Sequence, residues 1–136
     1  MQTQLGHLQF NIKRANLDFY KKLLAFLEWQ VLYDTEDLIG AADKNGVSVW
    51  FMGIANDAAN DYDGVGLNHL AFSVAAQSDV DAAVVYLQEQ GVTPLFDTPR
   101  HRPEFAQSAD QTYYQVMFES PDRILLEVVY TGVKAS

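Results

Sequence analysis

The sequence predicts an α+β chain of two tandem βαβββ modules, whose strands would join in a curved eight-stranded sheet, a half-barrel with its helices outside. Three observations lead there: an internal repeat, strict alternation in both copies, and a helical pattern after each first strand. Residues 5–12 read LGHLQFNI and residues 67–74 read LNHLAFSV; Leu, His, Leu and Phe recur in place, and Ile12 is matched by Val74. A ferredoxin-like βαββαβ arrangement shares the opening elements but leaves the third strand of each half without a role, so it ranks second.

In the first module, spanning about residues 5–55, Leu8, Phe10 and Ile12 alternate with His7, Gln9 and Asn11, as in a half-buried strand. Asn16 is the expected N-cap of a helix in which Leu17, Tyr20, Leu24 and Leu27 recur at helical spacing. Strands are expected at Trp29–Tyr33, Leu38–Ala42 and Val47–Ile54, with Asn45-Gly46 as a hairpin turn. The polar, acidic stretch 56–66 reads as a linker whose Asp57, Asp61 and Asp63 are solvated. In the second module, about residues 67–130, Leu70, Phe72 and Val74 alternate with His69, Ala71 and Ser73. Ser78 is the expected cap of a helix carrying Val80, Ala83, Val84 and Leu87 and stopped by Gly91. Strands follow at Val92–Phe96, Gln111–Glu119 and Ile124–Tyr130, with Pro121-Asp122 marking a turn. The segment 97–110, with two prolines and the Arg100-His101-Arg102 cluster, reads as a loop and candidate lid.

Composition narrows the function. The 136 residues suit one domain of two modules, and 49% apolar content supplies a core. A net charge of −9 repels phosphate backbones and anionic lipid, so neither nucleic acid nor membrane is an expected partner. The absence of cysteine removes disulfides, thiolate metal sites and a Cys nucleophile. No signal-peptide or membrane-spanning pattern opens the chain, and a cytoplasmic protein is expected.

Of the three histidines, His7 and His69 stand at equivalent points of the two copies. If the copies face each other, both imidazoles project toward one cavity. The last strand carries Glu127 among Leu125, Leu126, Val128 and Val129, and a carboxylate in so apolar a run needs a partner. One divalent ion, Fe, Mn, Zn, Ni or Co, held by His7, His69 and Glu127 would be that partner, with positions left open for an oxygen substrate. Taken singly, each of these residues has a plainer structural reading, as a strand-edge His or a paired carboxylate. Arg100 and Arg102 are candidate ligands for a substrate anion, or else surface partners of the abundant Asp and Glu. One of Tyr113 and Tyr114 is expected to face the cavity, and Tyr114 is the candidate proton donor.

These residues resemble the vicinal oxygen chelate superfamily, which includes glyoxalase I, extradiol dioxygenases, fosfomycin-inactivating transferases and bleomycin-resistance proteins. GHLQFNI and NHLAFSV are similar to the two His-bearing strands, LDFYKKLLAFLEW to the helix ending in a Leu-Gly-Phe turn, and ESPDRILLEVV to the Asp-Pro-Asp-Gly hairpin before the ligand Glu. The resemblance implies His7, His69 and Glu127 as metal ligands and a homodimer. Ala25 is read as replacing the glycine of the Leu-Gly-Phe turn, Arg123 replaces the hairpin glycine, and Trp50 stands where a fourth ligand is implied. Gln9, Asn11, Trp50 and Met52 are then expected to contact substrate.

Three function classes follow. The first is a metal-dependent lyase, isomerase or dioxygenase acting on a small oxygen-chelating substrate, with Glu127 and Tyr114 as its catalytic groups. The second is a metal-free protein that sequesters a drug or metabolite, relying on Trp50, Met52 and Phe105. The third is a dimerisation module.

Overall fold

The computed structural model describes residues 1–135. It divides into two compact units, 1–59 and 60–136, so the segment read as a linker is shared between them. Each unit is a βαβββ module with one four-stranded mixed sheet.

In the first unit β1 (His7–Asn11) leads through a 3-10 turn into α1 (Leu17–Phe26), followed by β2 (Gln30–Asp34), β3 (Leu38–Ala42) and β4 (Ser48–Met52). The spatial order is β1-β4-β3-β2, with β1 parallel to β4 and the remaining pairs antiparallel. Leu17, Tyr20, Leu23 and Leu24 form the buried stripe of α1, while Ile12, Ile39, Ala41, Val49 and Phe51 are buried on the strands and at their ends. Tyr20 stacks on Phe51 at 4.3 Å between ring centroids, and Phe10 stacks on Phe51 at 5.2 Å. Each such side chain contributes about 1.5–3 kcal/mol by leaving water. The turn at Asn45-Gly46 forms because Asp43 Oδ1 accepts from the Asn45 and Val47 N–H groups, at 2.9 and 3.0 Å, and Gly46 supplies a φ of +83°.

The left-handed residue after α1 is Glu28, with φ 59°, whereas Ala25 lies inside the helix. Glu28, in Leu27-Glu28-Trp29, therefore occupies the glycine position that the sequence reading gave to Ala25. Arg123, with φ 58°, does sit in the left-handed conformation expected of a hairpin glycine.

In the second unit β5 (His69–Ser73) is followed by α2 (Gln77–Glu89), β6 (Leu95–His101), a 3-10 turn (Pro103–Phe105), β7 (Gln111–Glu119) and β8 (Leu125–Val133). The order β5-β8-β7-β6 repeats that of the first sheet. Val80, Ala83 and Leu87 of α2 are buried together with Phe72, Val116, Phe118, Leu126 and Val128. The helix begins two residues before the expectation: Ala76, not Ser78, is the N-cap, and its N–H donates to the Asp79 carboxylate at 3.0 Å. Gly91, with φ +72°, ends it as expected.

The expected lid is mostly ordered backbone. Strand β6 starts later than Val92 and runs into the arginine cluster, because the register skips between Leu95 and Arg100 and so absorbs Phe96, Asp97 and the cis Thr98–Pro99 bond. Strand β8 extends to Val133, beyond the expected Tyr130, because β7 pairs with it along nine residues.

Candidate metal and substrate site

The ladder of the second sheet sets the site. His69 of β5 stands opposite Leu125 of β8, and Ala71 stands opposite Glu127, so the imidazole and the carboxylate share one face a diagonal step apart. Met117 of β7 stands opposite Glu127, which puts Tyr113, Gln115 and Met117 on that face as well. Tyr114, Val116 and Phe118 take the other face, toward α2.

Glu127 is 0% exposed, yet its two oxygens are treated differently. Oε1 accepts from the Tyr113 hydroxyl at 2.6 Å and from Gln115 Nε2 at 2.7 Å. Oε2 lies 3.1 Å from His69 Nε2, close enough for an ion pair, but the approach lacks hydrogen-bond alignment and Oε2 has no hydrogen-bond partner among the described residues. Burial, reinforced by the bond to Glu127, pushes the Tyr113 phenol well above its usual range, so it remains a proton-bearing donor at neutral pH.

The tautomer of His69 follows from its neighbour. Asn68 Nδ2 donates to the Tyr62 carbonyl at 2.8 Å, and a carbonyl only accepts, so Asn68 Oδ1 must face the imidazole. That oxygen is 2.8 Å from His69 Nδ1, which therefore carries the hydrogen. In the neutral ring Nε2 then carries a free lone pair 3.1 Å from a buried carboxylate oxygen and directed off the line between the two atoms, toward a point beside both. Two acceptors at that distance call for a cation. Ligands at right angles around an ion with bonds of about 2.1 Å lie about 3 Å apart, so this separation suits a divalent metal. The donor set, one imidazole Nε2 and one carboxylate oxygen each held from behind, has the supporting partners that metal ligands commonly show.

Linker residues take part. Tyr62 is buried with Met117 and Leu125, and Leu95 packs against this group. Its hydroxyl donates to Glu119, a bond that pushes the phenol pKa up, and Asn60 Nδ2 donates to the Arg123 carbonyl at 2.8 Å.

The other expected site residues fall as follows. Tyr114 donates to Asp81 of α2 at 2.6 Å, and burial with that bond pushes its phenol up to about 12. Tyr113 is thus the tyrosine that touches Glu127. Arg102 is engaged inside the chain: Nη1 donates to Gln115 Oε1 at 3.0 Å and Nε to the Glu104 carboxylate. Arg100 is exposed and stands opposite Gln115 in the ladder.

In the first unit His7 pairs in register with Ser48, Gln9 with Trp50 and Asn11 with Met52, so these six share one face. His7 is exposed, and Gln9 Nε2 donates to Asn11 Oδ1 at 3.0 Å. Trp50 stands opposite both Gln9 and Gly40; a Cβ on Gly40 would run into the indole ring, and the indole N–H donates to Ser48 Oγ at 2.9 Å. Within neither unit do three or more His, Cys, Asp or Glu side chains cluster to hold an ion among the described residues. No described helix is long and apolar enough to cross a membrane.

Of the two tyrosines read as cavity candidates Tyr113 is the one at Glu127, while Gln115 and Asn68 escaped the sequence reading. The signal that selects Tyr113 and Gln115 was alternation along β7: Tyr114 keeps step with Val116 and Phe118, which leaves those two on the carboxylate face.

The family model described as Glyoxalase/Bleomycin resistance protein/Dioxygenase superfamily matches residues 5–128. Among solved structures the chain is similar to a Bacillus halodurans protein classed provisionally as a glyoxalase, with 25% identity, a TM-score of 0.77, and 95% of this chain and 96% of that one covered. A glyoxalase/dioxygenase from Nostoc punctiforme is 15% identical, with a TM-score of 0.72 and 95% and 91% covered. The fosfomycin resistance protein FosX from Listeria monocytogenes, solved with Mn(II) and sulfate, is 18% identical, with a TM-score of 0.69 and 97% and 93% covered. No curated protein matches the chain.

Proposed function

The chain belongs to the Glyoxalase/Bleomycin resistance protein/Dioxygenase superfamily, and from that premise we propose that it is a divalent-metal-dependent enzyme acting on a small oxygen-chelating substrate, working as a cytoplasmic homodimer. His69 and Glu127, joined by His7 as the family resemblance implies, would hold the ion. The observation that carries this reading is the buried Glu127 Oε2, without a hydrogen bond among the described residues and 3.1 Å from an imidazole nitrogen whose lone pair is free. A protein keeps a buried acceptor unsatisfied at a cost of about 1–3 kcal/mol, and a ligand role is a reason to keep it.

When bound, such an ion acts as a Lewis acid on the oxygens of the substrate. The chain's own side chains prepare for it. Asn68 keeps the hydrogen of His69 on Nδ1 and leaves Nε2 for bonding. Tyr113 and Gln115 fix Oε1 and leave Oε2 beside His69 Nε2. The raised Tyr113 pKa keeps that hydroxyl a donor rather than a competing anion. Gln9, Asn11, Trp50, Met52 and Arg100 are the proposed substrate contacts. Tyr114, bonded to Asp81, is not retained as the proton donor, nor is Arg102, bonded to Gln115 and Glu104, retained as a substrate contact.

Elemental analysis of protein purified without chelator tests the reading. Near-stoichiometric metal is expected, and His7→Ala, His69→Ala and Glu127→Ala should each lower occupancy. Metal-free wild-type protein that also takes up none of Mn, Fe, Co, Ni or Zn on dialysis would refute it.

A metal-free binding protein is the second reading, and Trp50 favours it. Its ring, spread over Gly40 with Tyr33 5.9 Å away, offers a flat aromatic surface in the register position that carries Glu127 in the other unit. A ligand-induced change in tryptophan fluorescence that persists in EDTA would select it.

A further inference from the structure

We propose that Arg102 is a positioning residue for the ion site: it fixes the orientation of Gln115, so that both neutral donors fall on Glu127 Oε1 and Oε2 is left to the ion. This rests on the ion-binding reading above and goes beyond it by assigning the side chain that decides which carboxylate oxygen is presented.

The chemistry of the contacts sets the direction. A carboxamide has one accepting end and one donating end, and nothing in its shape chooses between them. Arg102 has only donors, so its Nη1, 3.0 Å from Gln115 Oε1, compels the accepting end to face the guanidinium. The donating end is thereby aimed at Glu127 Oε1, 2.7 Å away. With the amide reversed, its oxygen would oppose a carboxylate and its NH2 a guanidinium. Gln115 is 3% exposed, so water cannot repair that mismatch.

Arg102 is itself held on three sides. Its backbone N–H donates to the Tyr113 carbonyl at 2.7 Å, its Nε donates to Glu104, and its guanidinium lies over the Phe105 ring, 4.8 Å from the centroid. Phe105 in turn packs edge-on against Tyr113, with centroids 5.4 Å apart and a 73° interplanar angle. Tyr113 is the second donor to Oε1. The turn Pro103–Phe105 therefore braces both donors at once, one through the guanidinium and one through an aromatic contact. This gives the segment read as a candidate lid a bracing task. It also explains why one of two neighbouring arginines is turned inward in so acidic a chain.

The test uses Co(II) as the probe. Full-length protein stripped of metal is titrated with Co(II), and affinity is measured together with the visible d–d absorption of the bound ion. Arg102→Met keeps the length of the side chain and removes its charge and donors. It is expected to weaken Co(II) binding roughly 10–100-fold, the range for loss of a ligand's supporting partner. It should also change the intensity of the d–d bands, because a freed Glu127 can offer both oxygens. Arg102→Lys should recover part of the affinity, since an ammonium can reach one partner but lacks the fork that spans both. If Arg102→Met does not fold, Glu104→Gln loosens the guanidinium without removing it and should shift affinity and spectrum the same way by a smaller factor. Wild-type affinity and spectrum in the Met and Gln variants would overturn the positioning role while leaving the ion reading intact. Failure of the wild-type protein to take up Co(II) would overturn both.

Discussion

Replacing Glu127 by Gln separates stability from ion binding. The substitution preserves shape: the side-chain oxygen can keep the bonds from Tyr113 and Gln115, at 2.6 and 2.7 Å, while an NH2 replaces Oε2. That NH2 stands 3.1 Å from His69 Nε2, and a small turn of the ring brings onto it the lone pair left free because Asn68 holds the hydrogen on Nδ1. An unsatisfied buried acceptor thus becomes a satisfied donor, and a buried charge becomes a neutral amide. Relief of one such acceptor is worth about 1–2 kcal/mol. For a chain of this size that raises Tm by roughly 4–8 °C. In chelator, Glu127→Gln should therefore melt higher than wild type, an unusual outcome for a change at a fully buried position.

Added metal should reverse the order. Only the wild-type protein should gain from it, and a gain of 1–2 kcal/mol needs free ion at roughly 5–30 times Kd. The assay is thermal unfolding of both proteins in EDTA and then across a Co(II) series, with the curves expected to cross. If Glu127→Gln is less stable than wild type in EDTA, a proton rather than a metal bridges the pair, and the argument from the orphaned oxygen fails. Parallel rises of both proteins with Co(II) would refute it equally.

Three further outcomes are expected. Glu28→Gly relieves a left-handed residue, φ 59°, that costs about 1–2 kcal/mol; after the greater freedom of glycine in the unfolded chain, roughly 0.5–1 kcal/mol of added stability should appear in urea melts. Gly40→Ala places a Cβ against the Trp50 ring and should cost about 1–3 kcal/mol with a shift in tryptophan emission, whereas unchanged emission would mean the indole does not lie there. His101 is held below its ordinary pKa by burial and then by Lys134, so the unfolded chain binds its proton first as pH falls through about 6.5. Stability should therefore decline on the acid side of that value, and His101→Gln should flatten the decline in a series of melts from pH 7.5 to 5.5.

Much of the fold was legible because its signals are periodic and local. The repeat at His7 and His69, the alternation around Phe10 and Phe72, and the Asn45-Gly46 turn each act within a few residues, and β3 and β7 run over the expected residues. The errors lie where long-range pairing overrides local pattern. Strand β6 passes through Thr98-Pro99 because β7 offers it a partner on both sides of a register skip, something no window of prolines and arginines discloses. The glycine-like turn residue was placed at Ala25 because glutamate gives no sign of a left-handed backbone, yet Glu28 adopts it. At the site, Glu127 stood out as a charge in an apolar strand. Arg102 stood out only as a candidate anion ligand and Asn68 not at all, because their contacts with Gln115 and Tyr62 exist only in the assembled sheet.

The two units also explain each other's differences. Their ladders superpose in register: His7 opposite Ser48 matches His69 opposite Leu125, which makes Trp50 the counterpart of Glu127, Gly40 that of Met117 and Leu38 that of Gln115. A carboxylate at position 50 would thus have a leucine where Glu127 has a donor amide. It would also lack the strand extension that carries Tyr113, since β3 and β4 are five residues long against nine for β7 and β8. The first unit differs from the second in a whole supporting set and not in one residue. Trp50 agrees with that set, because its ring needs the bare Gly40 beside it and its N–H is satisfied by Ser48. Duplication supplied one lattice of strands twice. Each copy then became consistent around a different central side chain, a braced carboxylate in one and a flat aromatic surface in the other, and a buried charge persists only where its donors were built alongside it.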